Sequence, residues 1–448
     1  MLFSQYSSFL PPAPLTSIPP VIIIGAGMAG ISAAYHLRLK GIPSLILEGR
    51  QRFGGRIWTE HSLGIALDLG AAWIHGWQDN PITALAKLYR IRTLPVNLDS
   101  LALYDRNGRC LSDTELDKID DLSLQIMDSL MAMRPSVDVM TSMQTGVDHV
   151  FIQQHLPDPV RRGILWTLGA EIETEYGANL SQLSLKYWNQ DLNYPGGDRG
   201  FPEGYGQIID SLAEGLCIQL NHQVLAIDFE EKPITIVTNQ GTFRAEHVIL
   251  TVPLGVLKQE KIIFRPSLPP QKQAAIRSLG MGLLNKIALR FPFVFWPESV
   301  ERLGALQDTS DTIIEFWNLY YTTQQPVLVG LVGGKLAWLL ERLSDQESIA
   351  RAMQDLHQMF GSDIPDPVGV KITRWGSDPF TFGSYAHIPV GSRLDACGIL
   401  AEPIGNALFF AGEATHPVYP FTVHGAFFSG EREAFRVAQY IKNQYMNT

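Results

Sequence analysis

Val21-Ile22-Ile23-Ile24-Gly25-Ala26-Gly27-Met28-Ala29-Gly30 is the stretch on which the fold turns. Its four β-branched residues make the continuous apolar run of a strand buried on both faces of a parallel sheet. The glycine pattern then opens a segment of helical composition, Ile31 to Lys40. Gly41 and Pro43 stop that segment, and Ser44 to Leu47 reads as a second buried strand ending at Glu48. A bare G-x-G-x-x-G says little, but between a strand and a helix, with an acidic residue closing the next strand, it marks a dinucleotide-binding βαβ unit. Gly25 allows the tight turn, Gly27 lets backbone approach a pyrophosphate, and Gly30 lets helix and sheet pack closely. The helix start at Met28 and Ala29 offers amides and partial positive charge to phosphates. Glu48, eighteen residues past Gly30, is placed to accept hydrogen bonds from the adenosine ribose. At this point NAD and FAD are served equally.

The residues that follow separate the two. After Gly49 and Arg50, the run Arg52-Phe53-Gly54-Gly55-Arg56-Ile57-Trp58 gives a second length of glycine backbone for the pyrophosphate, with Arg56 able to neutralise it. Asp68-Leu69-Gly70-Ala71-Ala72-Trp73-Ile74-His75-Gly76 then supplies small residues against a ring system.

The chain has 448 residues, more than one hydrophobic core usually organises. With 45 acidic and 35 basic residues the net charge is −10, which disfavours nucleic acid or an anionic membrane as partner and suits a cationic substrate. Cys110, Cys217 and Cys397 are few, scattered and odd in number, so neither a disulfide framework nor a thiolate metal site is expected, and a cytoplasmic location fits. Residues 1–20 read as a loose tail without signal-peptide character, and no apolar run reaches the ~20 residues of a membrane span.

Between Pro81 and Gln190 the pattern is mainly helical, with helical spacing through Asp113 to Met133 and again through Val147 to Leu168. Strand-like runs return at Gln223 to Asp228, Ile234 to Val237 and His247 to Val252, and are expected to join the first sheet. A further strand-rich block covers Asn285 to Phe291, Thr312 to Tyr320 and Val327 to Gly333, before a helix at Ser344 to Phe360. Ala407 to Phe410 reads as a buried strand, and Val423 to Tyr440 as the last helix.

On these motifs, together with Thr251 to Lys258, Gly282 to Lys286, Arg374-Trp375, Asp378-Pro379, Gly383-Ser384-Tyr385, Ala411-Gly412-Glu413, Tyr419 and Val423 to Ala426, the chain resembles the flavin-containing amine oxidases from Val21 onward. Leu183 to Trp188 and Phe316 to Tyr320 look most like the polyamine oxidase and lysine demethylase branch. The resemblance implies an α/β fold in which a Rossmann-type FAD-binding domain (residues 21–85, 200–262 and 386–448) is interleaved with an α+β substrate-binding domain (residues 86–199 and 263–385). It also implies FAD contacts at the fingerprint, at Gly55 and Arg56, at Gly70 to Trp73, and at Val224, Trp375, Gly412, Glu413, Thr422 and Val423. The family's covalent members attach the flavin through a cysteine just before the tyrosine of the final motif; Thr415 to Tyr419 holds none, so FAD is expected to bind noncovalently.

Lys286 lies on a strand with Ala288 and Arg290 on its face, and taken alone it reads as a solvated strand lysine. The resemblance instead implies that it holds a water against flavin N5 and assists reoxidation by oxygen. Thr422 and Val423 begin a helix whose amides favour negative charge on the flavin's pyrimidine as it is reduced. Tyr385 and Tyr419 correspond to the family's aromatic pair, which orients an amine by π contacts. His75 and Trp73 stand where polyamine oxidases line the substrate channel. Among Glu171, Glu173 and Glu175, which otherwise form a solvated acidic run, Glu175 best matches the carboxylate that holds a distal ammonium.

The expected activity is therefore oxidation of a spermine or spermidine type polyamine, with O2 reduced to H2O2. The amine reacts in its neutral form, so activity is expected to rise into mildly alkaline pH. An L-amino-acid or monoamine oxidase stays open, as does a flavin protein serving electron transfer or interaction. A histone demethylase is expected to carry an extra helical hairpin and a chromatin module. Monomer and dimer are left open.

Overall fold

The computed structural model describes residues 19–445 apart from 155, 190, 191, 307–312, 314 and 394, and leaves the side chains of 444 and 445 aside. The tail expected over residues 1–20 lies outside the described residues up to 18, as does Thr312, where a strand was expected to start.

Strand Val21–Ile24 is buried at every position and sits at the centre of a five-stranded parallel sheet. Its neighbours are Ser44–Leu47 and then Ile218–Gln219 on one side, and Val248–Leu250 and then Leu408–Phe410 on the other. The chain thus leaves the central strand first toward one edge and later toward the other. Such a reversal opens a crevice at the carboxyl ends of the strands, where ligands of open α/β sheets bind. Helix Met28–Leu39 packs on this sheet and is apolar nearly all round, as a helix sandwiched between layers must be. Its outer partner is the last helix, Val423–Tyr445, at a close approach: a Cβ on Gly430 would lie 2.1 Å from the Ala29 carbonyl oxygen.

The strand-like runs expected to join this sheet divide. Only Val248–Leu250 does so; Val224–Asp228 and Ile234–Thr238 pair with Gly241–Ala245 and Ile263–Arg265 in a separate four-stranded sheet. A six-stranded sheet holds, in order, Gly369–Ile372, Leu284–Arg290, Val327–Gly333, Glu315–Asn318, Arg302–Ala305 and Leu101–Tyr104. The last of these corrects the helical reading of its region, since Leu101–Tyr104 pairs in parallel with a partner some two hundred residues away that local periodicity does not reveal.

Helix Asp113–Met133 forms over the expected span, started by a Ser112/Glu115 capping box. The stretch expected as continuous from Val147 to Leu168 is two helices, Met143–Gln154 and Asp158–Leu168, the second capped by Pro157. That proline cannot donate within a helix, so the chain turns there. Past Leu168 the backbone widens into a π-helical turn, Gly169–Glu173, a geometry that frequently marks functional sites. Among the described residues no helix is long and apolar enough to cross a membrane.

Candidate active site

A cavity of about 840 Å³ runs from the carboxyl ends of the parallel strands to the six-stranded sheet and the π-helical turn. At its first end the glycine fingerprint is held by sterics. Gly25 has φ +104°, and a Cβ on Gly30 would lie 1.9 Å from the Gly25 carbonyl oxygen. Gly27 faces Gly55, whose own Cβ would meet the Gly27 Cα at 3.2 Å, so two glycine backbones border the cavity face to face. Both oxygens of Glu48 take backbone N–H donors, Ala26 at 2.8 Å and Arg50 at 2.9 Å, which fixes the carboxylate at the cavity edge beside His222, Gln223 and Val224. Thr251, which the motifs did not single out as a ligand contact, bonds the carbonyls of Ile24 and Gly25 at 2.8 and 3.1 Å and holds the crevice's two strands together.

The arginines are already engaged. Arg50 forms a two-bond pair with Asp378 at 2.9 and 2.6 Å, and Gly49 has no side chain because the Phe380 ring fills that space. Arg56, expected to neutralise a pyrophosphate, donates instead to Glu413 at 2.8 Å and to the Ser384 carbonyl at 2.9 Å. Backbone amides and the helix start at Met28 are left to meet a phosphate's charge. Gly412, at φ +135°, opens onto the same wall and is tied to Ser429 of the last helix at 2.8 Å.

In the middle of the cavity Gly70, Ala71, Ala72 and Trp375 present small or flat surfaces. A side chain at Gly70 would run into the Arg56 carbonyl at 1.7 Å. Trp375 is buried, with its indole N–H on the Leu69 carbonyl at 3.2 Å. Lys286 is not a solvated strand lysine. Ile287 and Leu289 point into one core and Ala288 into another, and the 5% exposed lysine turns its ammonium to the carbonyls of Asp68 and Gly70, each at 2.8 Å. Burial pulls its pKa down to about 8 against the opposing charge of Asp68. Opposite, Thr422 caps the last helix by accepting from Gly425 N–H at 2.9 Å, and Thr422 and Val423 both line the cavity.

The far end is aromatic and acidic. Tyr385 donates its hydroxyl to the Thr174 carbonyl, and burial together with the Glu175 charge raises its pKa. Trp73 packs on Trp317 with ring centroids 4.7 Å apart. Glu171 and Glu175 both face the cavity from the π-helical turn and the short helix after it, whereas Glu173 turns away to the Leu180 N–H at 2.8 Å. Arg302, nearly buried, is spent on Glu315 at 2.8 Å and on the Leu98 carbonyl at 2.7 Å. Tyr194 lines the wall, which the motifs do not suggest, and Tyr419 is stacked face to face on it at 4.9 Å and 12°. Tyr194 sits in a loop without any pattern to single it out. His75 lines the cavity and bonds Asp198 at 2.8 Å, a partner that sequence spacing does not suggest.

From strand ends to lysine these surfaces suit an adenosine, a pyrophosphate and a flat ring in turn, which is the shape of FAD. The described cavity lining contains no cysteine, and among the described residues no group of His, Cys, Asp or Glu is placed to hold a metal. A profile of the family "Flavin containing amine oxidoreductase" matches residues 28–438. "Probable polyamine oxidase 4" of Arabidopsis thaliana is 37% identical over 441 residues, covering 94% of this chain and 88% of that protein. "Lysine-specific histone demethylase 1 homolog 1" of Oryza sativa subsp. japonica is also 37% identical, covering 96% of this chain; this chain spans 54% of its length. Among solved structures, a redesigned putrescine oxidase shares the fold with a TM-score of 0.76 at 21% identity, covering 94% of this chain and 99% of that one. The chain belongs to the flavin-containing amine oxidoreductases and takes FAD as its cofactor.

Proposed function

We propose that the protein oxidises polyamines of the spermine and spermidine type to an aldehyde and a shorter amine, with O2 reduced to H2O2. The observation that carries this reading is the cavity's far end, where aromatic rings and the carboxylates of Glu171, Glu175 and Asp198 stand together beyond Lys286. Bound FAD supplies the acceptor, at N5, for a hydride from the amine's α-carbon. The residues of the chain do the rest. Tyr385, held by its hydroxyl, and Trp73 confine the reacting amine by their faces, and Glu175 holds a distal ammonium. The amides of the last helix favour the negative charge that builds up on the ring, and the ammonium of Lys286 favours charge on oxygen during reoxidation. Tyr419 acts by its stacking on Tyr194. We carry the division into residues 21–85, 200–262 and 386–448 against 86–199 and 263–385 as part of this proposal.

The named relatives favour a second reading, the same chemistry on a methylated lysine side chain. An L-amino-acid oxidase is less well supported, because the far-end arginine is already paired with Glu315. Anaerobic mixing of the yellow protein with spermidine, spermine, a monoamine, an L-amino acid and a methyl-lysine peptide separates these. Fastest bleaching by spermidine or spermine supports the proposal, and fastest bleaching by any other arm replaces it. Peroxide formed on admitting air excludes a pure electron-transfer or interaction role.

A further inference from the structure

We propose that His75 and Asp198 work as one unit, Asp198 being a positioning residue that fixes the imidazole so that its Nε2 accepts the proton an amine must lose before it is oxidised. The proposal rests on the reading of the chain as an amine oxidase and adds to it the group that prepares the substrate.

The geometry is built, not incidental. Asp198 is clamped at both oxygens to adjacent residues, Oδ2 to His75 Nδ1 at 2.8 Å and Oδ1 to the Gly76 N–H at 3.0 Å. The segments that carry them are zipped together: Trp73 pairs with Gly200 and Ile74 with Arg199, while the N–H groups of Trp77 and Gln78 donate to the carbonyls of Gly197 and Pro195 at 3.0 and 2.9 Å. Gly76, at φ +63°, leaves no room for a side chain, since a Cβ would lie 1.8 Å from the Tyr194 carbonyl. The His75 carbonyl accepts from Asn80 at 3.0 Å. Backbone and ring are therefore both held, while the side chain is 60% exposed and opens onto the cavity.

A carboxylate only accepts, so the proton of a neutral His75 resides on Nδ1 and the Nε2 lone pair is left free of that bond. The charged and titratable groups around the ring are Asp198, Glu175 on the short helix Thr174–Tyr176, and His424 in the first turn of the last helix, whose ring lies edge-on to Tyr194. His424 is pushed down to about 3 by burial and by the neighbouring histidines 75 and 416, so it is neutral at working pH. The protein around the cavity onto which the ring opens keeps bulk water at a distance and pulls His75 down, but the hydrogen bond and charge of Asp198, with the charge of Glu175, outweigh that and raise its pKa. In the step itself the substrate's N–H bond breaks, its electron pair stays on nitrogen, and the proton joins Nε2. The imidazolium is balanced by Asp198 and releases the proton to water through the cavity. No electrons are transferred.

The test uses the FAD-containing protein and Asp198→Asn, which keeps an acceptor for Nδ1–H and removes the charge. The His75 titration is followed by NMR, assigned with His75→Gln. We expect the His75 pKa to drop by about one pH unit or more in the Asn variant. The acid limb of flavin reduction by spermidine is expected to move the same way, and its plateau to fall roughly tenfold or more. The substrate's own titration should not move. A merely structural Asp198 would raise KM or lower stability and leave both titrations in place, and that result overturns the proposal. So does survival in His75→Gln of the acid-limb ionisation that matches the NMR pKa of His75, the substrate's own ionisation remaining in both proteins, which keeps the test decisive if the Asn variant does not fold. The NMR titration is read in the resting protein, so an unchanged His75 pKa overturns the coupling whichever amine bleaches the flavin.

Discussion

The ammonium of Lys286 stands 2.8 Å from the backbone carbonyl of Asp68, and the ionisations of the two residues are displaced toward each other. Burial lowers the lysine to about 8 and raises the aspartate to about 6, and the attraction between them offsets only part of either change. At neutral pH both are charged, so a cation is stored in the cavity wall.

That cation is present below about pH 8 and is lost as pH rises through its pKa. Reoxidation by O2 is therefore expected to slow as pH passes about 8. Lys286→Met should slow it by roughly ten- to a hundredfold at pH 7 and abolish this pH dependence, while reduction by amine changes far less. Stopped-flow mixing of the reduced protein with oxygen measures both. Equal losses in the two half-reactions would refute the role.

The fingerprint glycines should fail in different ways. Gly30→Ala puts a methyl 1.9 Å from the Gly25 carbonyl and is expected to destabilise by about 1–3 kcal/mol or more, visible in thermal unfolding of the apoprotein. Gly27→Ala has room, its Cβ falling 4.0 Å from the Gly55 Cα, so the fold should persist while FAD affinity drops because the methyl faces the pyrophosphate path. A normal melt for the first, or normal FAD affinity for the second, would contradict this assignment.

Arg56→Ala strands the Glu413 carboxylate, whose side chain is 7% exposed. The expected loss is about 3 kcal/mol, at the low end for a buried pair because Arg56 is 22% exposed. Glu413→Gln should cost less, and the double variant less than the sum. Denaturant unfolding of all three with FAD removed provides the cycle.

Glu175→Gln should raise KM for spermidine by roughly ten- to a hundredfold, the worth of a charge-assisted contact of about 1.5–3 kcal/mol, with little change for a monoamine that lacks the second ammonium. Parallel losses on both substrates would remove Glu175 from the distal position.

Much of this molecule is legible locally. The run Val21–Ile24 followed by its glycines is a strand, a turn and a helix because burial on both faces demands β-branched side chains and the turn tolerates no Cβ. The capping residues Ser112 and Ser344 likewise announce their helices. Other features have no local signal. Leu101–Tyr104 becomes a strand only because Arg302–Ala305 offers it an edge, and Val224–Asp228 reads the same whichever sheet receives it. Arg56 has the composition of a phosphate ligand, and only its pairing with Glu413 shows its charge to be already balanced.

By itself the sequence determined the dinucleotide crevice and the flavin motifs, because each rests on residue types whose backbone conformation few others can supply; Lys286, which alone reads as a solvated strand residue, needed the fold to turn its ammonium inward. Only the tertiary structure decided that Tyr194 lines the wall stacked on Tyr419, that Glu171 and Glu175 share one cavity, and that His75 meets Asp198. Those relations reach across 123 residues for His75 and Asp198 and 225 for Tyr194 and Tyr419. They depend on how packed layers bring loops together, and no spacing along a chain encodes that.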